Sequence, residues 1–257
     1  MTTSNTAQAR FGTSIAIYQV KLTLLEHTFF ASREVGLLYE TEPVIGNYAL
    51  TYALGWCASP YNWNGPPRYK ADLLPLNHQG RYVTPATFLP GRLRFAFSQF
   101  NAQSDSYYFR FDQNAIALER SRKARAMNFP QAGKIRLLAA ESQARFYVLL
   151  PGELAPALPR YIRLGKFQSK ARLDWQPLQL LAQEPQEQEH VVDFFLNAAD
   201  LPEAMLSGMR SFTLYNIPPA PLVRQARLRG LFWAGRLPDG EEVHLPAGMH
   251  YGVETLP

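Results

Sequence analysis

With 257 residues, 47% of them hydrophobic, the chain can bury the core of one large domain or two modest ones, and neither disorder nor a fibrous repeat fits that composition. The net charge of +5 and a pI near 9.3 are moderate, so the distribution of charge matters more than its sum. Cys57 stands alone, which excludes an internal disulfide and a cysteine-based zinc site, and a polar amino terminus without any bilayer-length apolar run predicts a cytoplasmic protein with no membrane segment.

Residues 14–25 alternate, with Ala16, Tyr18, Val20, Leu22 and Leu24 on one face and Gln19, Lys21 and Thr23 on the other, and predict the first strand. A connection follows that carries two adjacent aromatics and the pair Arg33 and Glu34. Thr41, Glu42 and Pro43 read as a helix start: a hydroxyl to cap, an acid for the dipole, and a proline where no amide is needed. Ile45, Tyr48, Ala49, Tyr52 and Ala53 then form its buried stripe.

Between residues 58 and 92 stand six prolines, a density that argues against a regular helix. With Trp63, Arg68, Tyr69 and Lys70 among them, this stretch reads as a protruding insertion suited to nucleotide contact, or as aromatics folded back onto the body. Residues 92–98 and 107–111 alternate around a turn-rich centre and predict a hairpin. Arg120, Arg122, Lys123 and Arg125 make a basic cluster on a loop, and residues 134–139 and 145–150 a further pair of strands.

Residues 152–159 predict a short helix with Pro156 in its first turn, and residues 171–181 a strand. Between them Arg160, Arg163, Lys166, Lys170 and Arg172 fall within thirteen residues that contain no acid. Gly165 allows a turn there and Phe167 offers a ring, so this basic turn on the lip of a sheet is the best candidate for a polyanion site, with a solvated face as the alternative. The polar stretch 183–189 marks an internal boundary, beyond which strands are expected at 191–196, 211–215, 224–236 and 242–251, and a helix at 201–209. Charge is segregated here. Residues 173–209 carry no Lys or Arg, whereas residues 204–238 carry five Arg and no acid, an arrangement expected to dock a protein on one segment and an anion on the other.

The sequence has no Walker loop, nucleophile elbow, dinucleotide fingerprint or metal-spaced cluster, so neither a cofactor nor a metal is expected. Metal-free RNA cleavage with His27 as general acid or base is the one catalytic alternative, and Tyr18 and Lys21 fall on opposite faces of their strand, which opposes it. The element order is that of an α+β, ferredoxin-like (RRM-like) domain over residues 13–182, with an inserted thumb-like region at 58–130 and a small β-rich C-terminal region at 190–257.

Residues 28–34, Thr-Phe-Phe-Ala-Ser-Arg-Glu, and residues 39–54, Tyr-Glu-Thr-Glu-Pro-Val-Ile-Gly-Asn-Tyr-Ala-Leu-Thr-Tyr-Ala-Leu, closely resemble the amino-terminal signature of the type I-D CRISPR-associated Csc protein of the Cas-five family. Residues 128–133 and 162–166 also fit it, and the resemblance runs from about residue 15 to about residue 236. It implies a RAMP-superfamily subunit of a Cascade effector complex, without catalytic residues, that grips the five-prime handle of the crRNA and caps a filament of Cas-seven-type backbone subunits. It further implies contact with a Cas-ten-type large subunit and, through the complex, with target double-stranded DNA near the protospacer-adjacent motif. Under that resemblance Arg163, Lys166, Lys170 and Arg172 occupy the loop where the superfamily usually carries several glycines, and here only Gly165 is present. Arg68 and Lys70 would lie on the thumb, Arg122, Lys123 and Arg125 would meet DNA or handle phosphates, and Arg33 is a further candidate unless Glu34 neutralises it. The alternative function is a metal-independent endoribonuclease acting on precursor crRNA, although in type I-D systems the family expectation assigns that step to a separate Cas-six-type nuclease.

Overall fold

A computed structural model describes residues 15–35, 38–59, 67–101, 108–110, 115–117, 132–152 and 158–254. Its centre is an antiparallel, seven-stranded sheet in the order Tyr161–Leu164, Ser169–Pro177, Ile15–Leu24, Gln143–Pro151, Ala86–Phe88 and Val44–Ile45, with Tyr82–Val83 also paired to Gln143–Pro151. The expected first strand is therefore present, and it lies in the interior of the sheet. Its alternation sends Val20, Leu22 and Leu24 to one face, where they meet Phe146, Val148 and Leu50 of the first helix. Ile17 points the other way, onto Tyr147 and Leu149 and through them onto Phe232, Leu245 and Tyr251 of the C-terminal region. Both faces of the sheet are thus buried over part of their length, and burial of this kind stabilises by roughly 25 cal/mol per Å² of apolar surface.

The first helix is Asn47–Ala53, and it starts from Gly46 rather than from Thr41. The Thr41 hydroxyl is fully buried and already engaged: it accepts the Phe30 N–H at 3.0 Å and donates to the Phe30 carbonyl at 2.8 Å. Val44 and Ile45, which are β-branched, join the sheet instead of the helix. The buried face of the helix is accordingly Asn47, Tyr48, Leu50 and Thr51, a different set from the expected stripe.

Despite the prolines, Tyr69–His78 is a helix with Pro75 inside it. Pro75 faces solvent in the last turn, so its missing N–H removes one hydrogen bond, while Leu73 and Leu76 anchor the opposite side in the core. Residues 82–88 are buried sheet strands rather than part of a projection, and residues 60–66 lie outside the described residues.

The strand Phe95–Asn101 pairs with Ala132–Leu138 instead of forming the expected hairpin with Tyr108–Arg110, which pairs with Ala115–Ala117; residues 107 and 111 lie outside the described residues. Together with Arg33–Val35 and Leu38–Glu40, the first two make a separate four-stranded sheet. Residues 134–139 and 145–150 are strands as expected but belong to different sheets, because the turn between them, with Glu141 at φ 65°, redirects the chain. Of the helix expected over 152–159, residues 153–157 lie outside the described residues.

Half of the supposed link at 183–189 is strand: Gln186–Val192 pairs antiparallel with Ala226–Arg236, alongside Gln179–Leu180 and Glu242–Pro246. This register cancels the segregated charge. Glu189 meets Arg227 at 3.1 Å and Glu187 meets Arg229 at 3.7 Å, so the acidic and basic segments face each other instead of facing two different partners. Such exposed pairs add little stability. Their effect is to remove these cations from the pool available to a ligand.

At the junction of the helices and the C-terminal region sits Asp200, with no exposed surface. Its Oδ2 accepts from Asn47 Nδ2 at 2.6 Å and from Tyr82 OH at 2.9 Å, and its Oδ1 from Tyr48 OH at 3.0 Å and Gly252 N at 2.8 Å.

Candidate nucleic-acid interface

The basic segment is itself a hairpin, Tyr161–Leu164 paired with Ser169–Pro177, and not a turn between a helix and a strand. Strand parity explains its chemistry. Ile162, Leu164, Ser169 and Ala171 point inward, and this leaves Tyr161, Arg163, Lys170 and Arg172 on the other face, with Arg163 opposite Lys170 and Tyr161 opposite Arg172. The hairpin is the edge of the central sheet; its inward side chains join the core under the first helix, and its cations lie on the opposite face, beyond the part that the C-terminal region covers.

The turn is fastened to the segment that follows the first strand. Lys166 N donates to the Phe29 carbonyl at 2.8 Å, Ser169 Oγ to the His27 carbonyl at 2.7 Å, and Lys170 N to Glu26 Oε2 at 2.8 Å. Gly165, at φ 69°, lies so close to this segment that a Cβ would stand 2.4 Å from the Phe29 carbonyl oxygen. The glycine is thus required by packing against protein backbone. Arg163 Nη1 donates to the Gln168 carbonyl at 2.8 Å, bracing the turn from its flank.

Among the described residues, Arg172 is the only cation of the hairpin with an ion-pair partner, Asp174 at 3.3 Å. Lys170 Nζ lies 4.5 Å from the centre of the Tyr161 ring, and Arg160 approaches the same ring at 5.9 Å. A positive cluster held on a rigid backbone, with an exposed tyrosine among the cations, can bind phosphates and unpaired bases together. Further along the same face, Arg145 is engaged by Asp193 at 2.9 Å and Glu241 at 2.8 Å.

The other candidates are scattered. Arg33 is paired at 3.0 Å with Glu42, the residue after Thr41. Arg68 donates to Ser59 Oγ, and Lys70 is an exposed residue of the second helix, which packs on the Tyr48 and Tyr251 cluster; neither is brought to the hairpin by any bond among the described residues. Arg122, Lys123 and Arg125 lie outside the described residues. His27 Nδ1 accepts the Ala140 N–H at 3.0 Å, which pins its ring between the end of the first strand and a turn. His190 stacks on His244 at 3.8 Å, and burial, with His244 beside it, lowers the pKa of His190. Among the described residues no group of three or more His, Cys, Asp or Glu is arranged to hold a metal ion, and no helix is long and apolar enough to cross a membrane. Tyr161 also belongs to the interface, and Phe29, which is buried, supports the turn from below. The odd-numbered parity that Tyr161 shares with Arg163 was the available signal.

Fold and site together define a class: an α+β protein of many strands and few helices, with a braced hairpin at a sheet edge that carries four cations without an ion-pair partner among the described residues. The chain belongs to the type I-D CRISPR-associated protein Cas5/Csc1 family, whose model matches residues 15–254, and it is accordingly a CRISPR effector subunit. No curated protein matches it. Among solved structures, a chain of the cryo-EM structure of the type III-B Cmr-beta bound to cognate target RNA and AMPPnP, state 1, is similar at 9% identity and a TM-score of 0.44, covering 82% of this chain and 86% of that chain.

Proposed function

We infer that this subunit binds the five-prime handle of the crRNA through the hairpin at residues 160–172, without cleaving it. In the assembled type I-D Cascade it caps the Cas-seven-type backbone, adjoins the Cas-ten-type large subunit and helps engage target DNA near the protospacer-adjacent motif. The observation that carries the reading is the clustering, on one braced hairpin, of four cations without ion-pair partners among the described residues. Arg33, Arg136, Arg227, Arg229 and Arg236 each meet a glutamate, whereas Arg160, Arg163, Lys166 and Lys170 have no carboxylate partner among the described residues. Unpaired cations on a fixed frame are what a phosphate backbone requires, and in RNA-guided complexes pairing by the guide supplies target sequence recognition.

The ferredoxin-like reading is part of the same proposal. It is supported by the antiparallel order Ser169–Pro177, Ile15–Leu24, Gln143–Pro151, Ala86–Phe88, which is the fourth, first, third and second strand of that fold, with Asn47–Ala53 between the first and second. Arg68 and Lys70, and Arg122, Lys123 and Arg125, stay proposed contacts to a neighbouring subunit, guide or DNA on their charge alone.

The test is to mix the purified chain with labelled repeat-derived RNA in a chelator and to follow binding and cleavage across a salt series. The expected result is salt-sensitive binding with intact RNA. Lys166→Ala combined with Lys170→Ala should weaken it and reduce the slope of log affinity against log salt by about 1.4, on the order of 0.7 per phosphate contact for a single strand. Arg33→Ala, which removes an already paired charge, should change the slope little. Cleavage that disappears with His27→Ala would instead make the chain a processing nuclease.

A further inference from the structure

We propose that Phe167, at the tip of the hairpin, is a stacking platform for one unpaired base of the bound RNA; the proposal rests on the reading of the hairpin as an RNA site and adds a base contact to it. Phe167 is 55% exposed. One side of its ring is supported by Phe29, at 5.3 Å between centroids and 34° between planes. Phe29 is in turn buried with Ile135 and Leu137 of the four-stranded sheet, so the support does not move freely.

The backbone holds the ring outward. Gly165 and Gln168 both take positive φ, 69° and 53°, Gln168 N closes the turn on the Gly165 carbonyl at 3.2 Å, and Lys166 N is tied to Phe29. An aromatic side chain in so short and braced a turn loses little further freedom when a ligand stacks on it. Its surroundings decide the ligand class. The ring sits between Lys166 and Lys170 in the chain, with Arg163 bonded across the base of the same turn. A protein partner seeks a continuous apolar patch, whereas exposed rings set apart among unpaired cations, Phe167 at the tip and Tyr161 on the strand, match the alternation of base and phosphate in a single strand.

The experiment measures binding of handle RNA to the purified chain and to Phe167→Ala, Phe167→Leu and Phe167→Trp, with a parallel set of RNAs carrying one abasic position each. Phe167→Ala should weaken binding about tenfold with an unchanged salt slope, since no charge is altered. Phe167→Leu, which keeps an apolar group without a π face, should be nearly as weak, and Phe167→Trp should bind like the parent, which also demonstrates an intact fold. At one abasic position the parent should lose about as much as Phe167→Ala does, and Phe167→Ala should lose nothing more there. Parental affinity in Phe167→Ala or in Phe167→Leu, or losses that simply add at every abasic position, overturns the platform while leaving the cationic site standing. Absence of RNA binding by the parent chain overturns both.

Discussion

Asp200→Asn should destabilise the folded chain by about 2–4 kcal/mol, read as a lower denaturation midpoint at unchanged slope. All four groups around this carboxylate donate to it, two on each oxygen. An amide in its place turns an N–H₂ toward one of those pairs. The tyrosine hydroxyls can rotate and accept, but the Gly252 amide cannot, and the Asn47 side chain is already oriented by Asn197, which donates to its Oδ1 at 3.2 Å. Burial pushes the Asp200 carboxyl up to about 6, against the pull of its donors. The folded chain therefore keeps a proton that the unfolded chain releases between about pH 4 and pH 6. This group's contribution to stability falls as pH rises through that window, by about 3 kcal/mol in all. Asparagine does not titrate, so the stability gap between the parent and Asp200→Asn should be wider at pH 4.5 than at pH 7.5, and an equal gap at both would refute the assignment.

Gly165→Ala should lower both stability and RNA affinity without touching a charge. Two effects combine at this position. The left-handed conformation at φ 69° costs a side chain roughly 1–2 kcal/mol, and the new methyl group would collide with the Phe29 carbonyl oxygen, a backbone atom that has little room to retreat. Relief of that collision separates the tip from the segment on which it rests and breaks the bond from Lys166 N. Gly91 supplies the comparison, with φ 68° and nothing within 4 Å of the corresponding Cβ position. Gly91→Ala should cost only the conformational part, about 1 kcal/mol, and leave RNA affinity unchanged. Equal losses of stability in the two variants would mean that the clamp on Phe29 contributes nothing.

The strands Ile15–Leu24 and Ser169–Pro177 were legible because one alternating face of each is apolar, and that signal is local. Their neighbours were not legible, since the partner of Phe95–Asn101 lies some thirty residues downstream and no local pattern names it. The first helix starts later than its local sequence suggests for a related reason: Thr41 has the chemistry of a cap, but its hydroxyl is used across the chain by Phe30. In the interface, the concentration of cations at residues 160–172 was visible from composition. Which of those charges stay unpaired was not, because that depends on cross-strand register, as Arg227 and Glu189 illustrate. The alternation of Tyr161, Ile162, Arg163 and Leu164 was hidden by the density of charge around it.

The two-sided burial of the central sheet also dictates an order of events during synthesis. Ile17, Tyr147 and Leu149 find their covering in Phe232, Leu245 and Tyr251, and the donors Asn47, Tyr48 and Tyr82 find their acceptor in Asp200, all of which leave the ribosome later. Until then the nascent sheet carries one bare apolar face and polar groups facing a gap. The sheet therefore reaches its fully buried state only once the C-terminal region has been made, whereas the face that packs on the first helix is closed by residues no later than Trp175 and can be covered earlier.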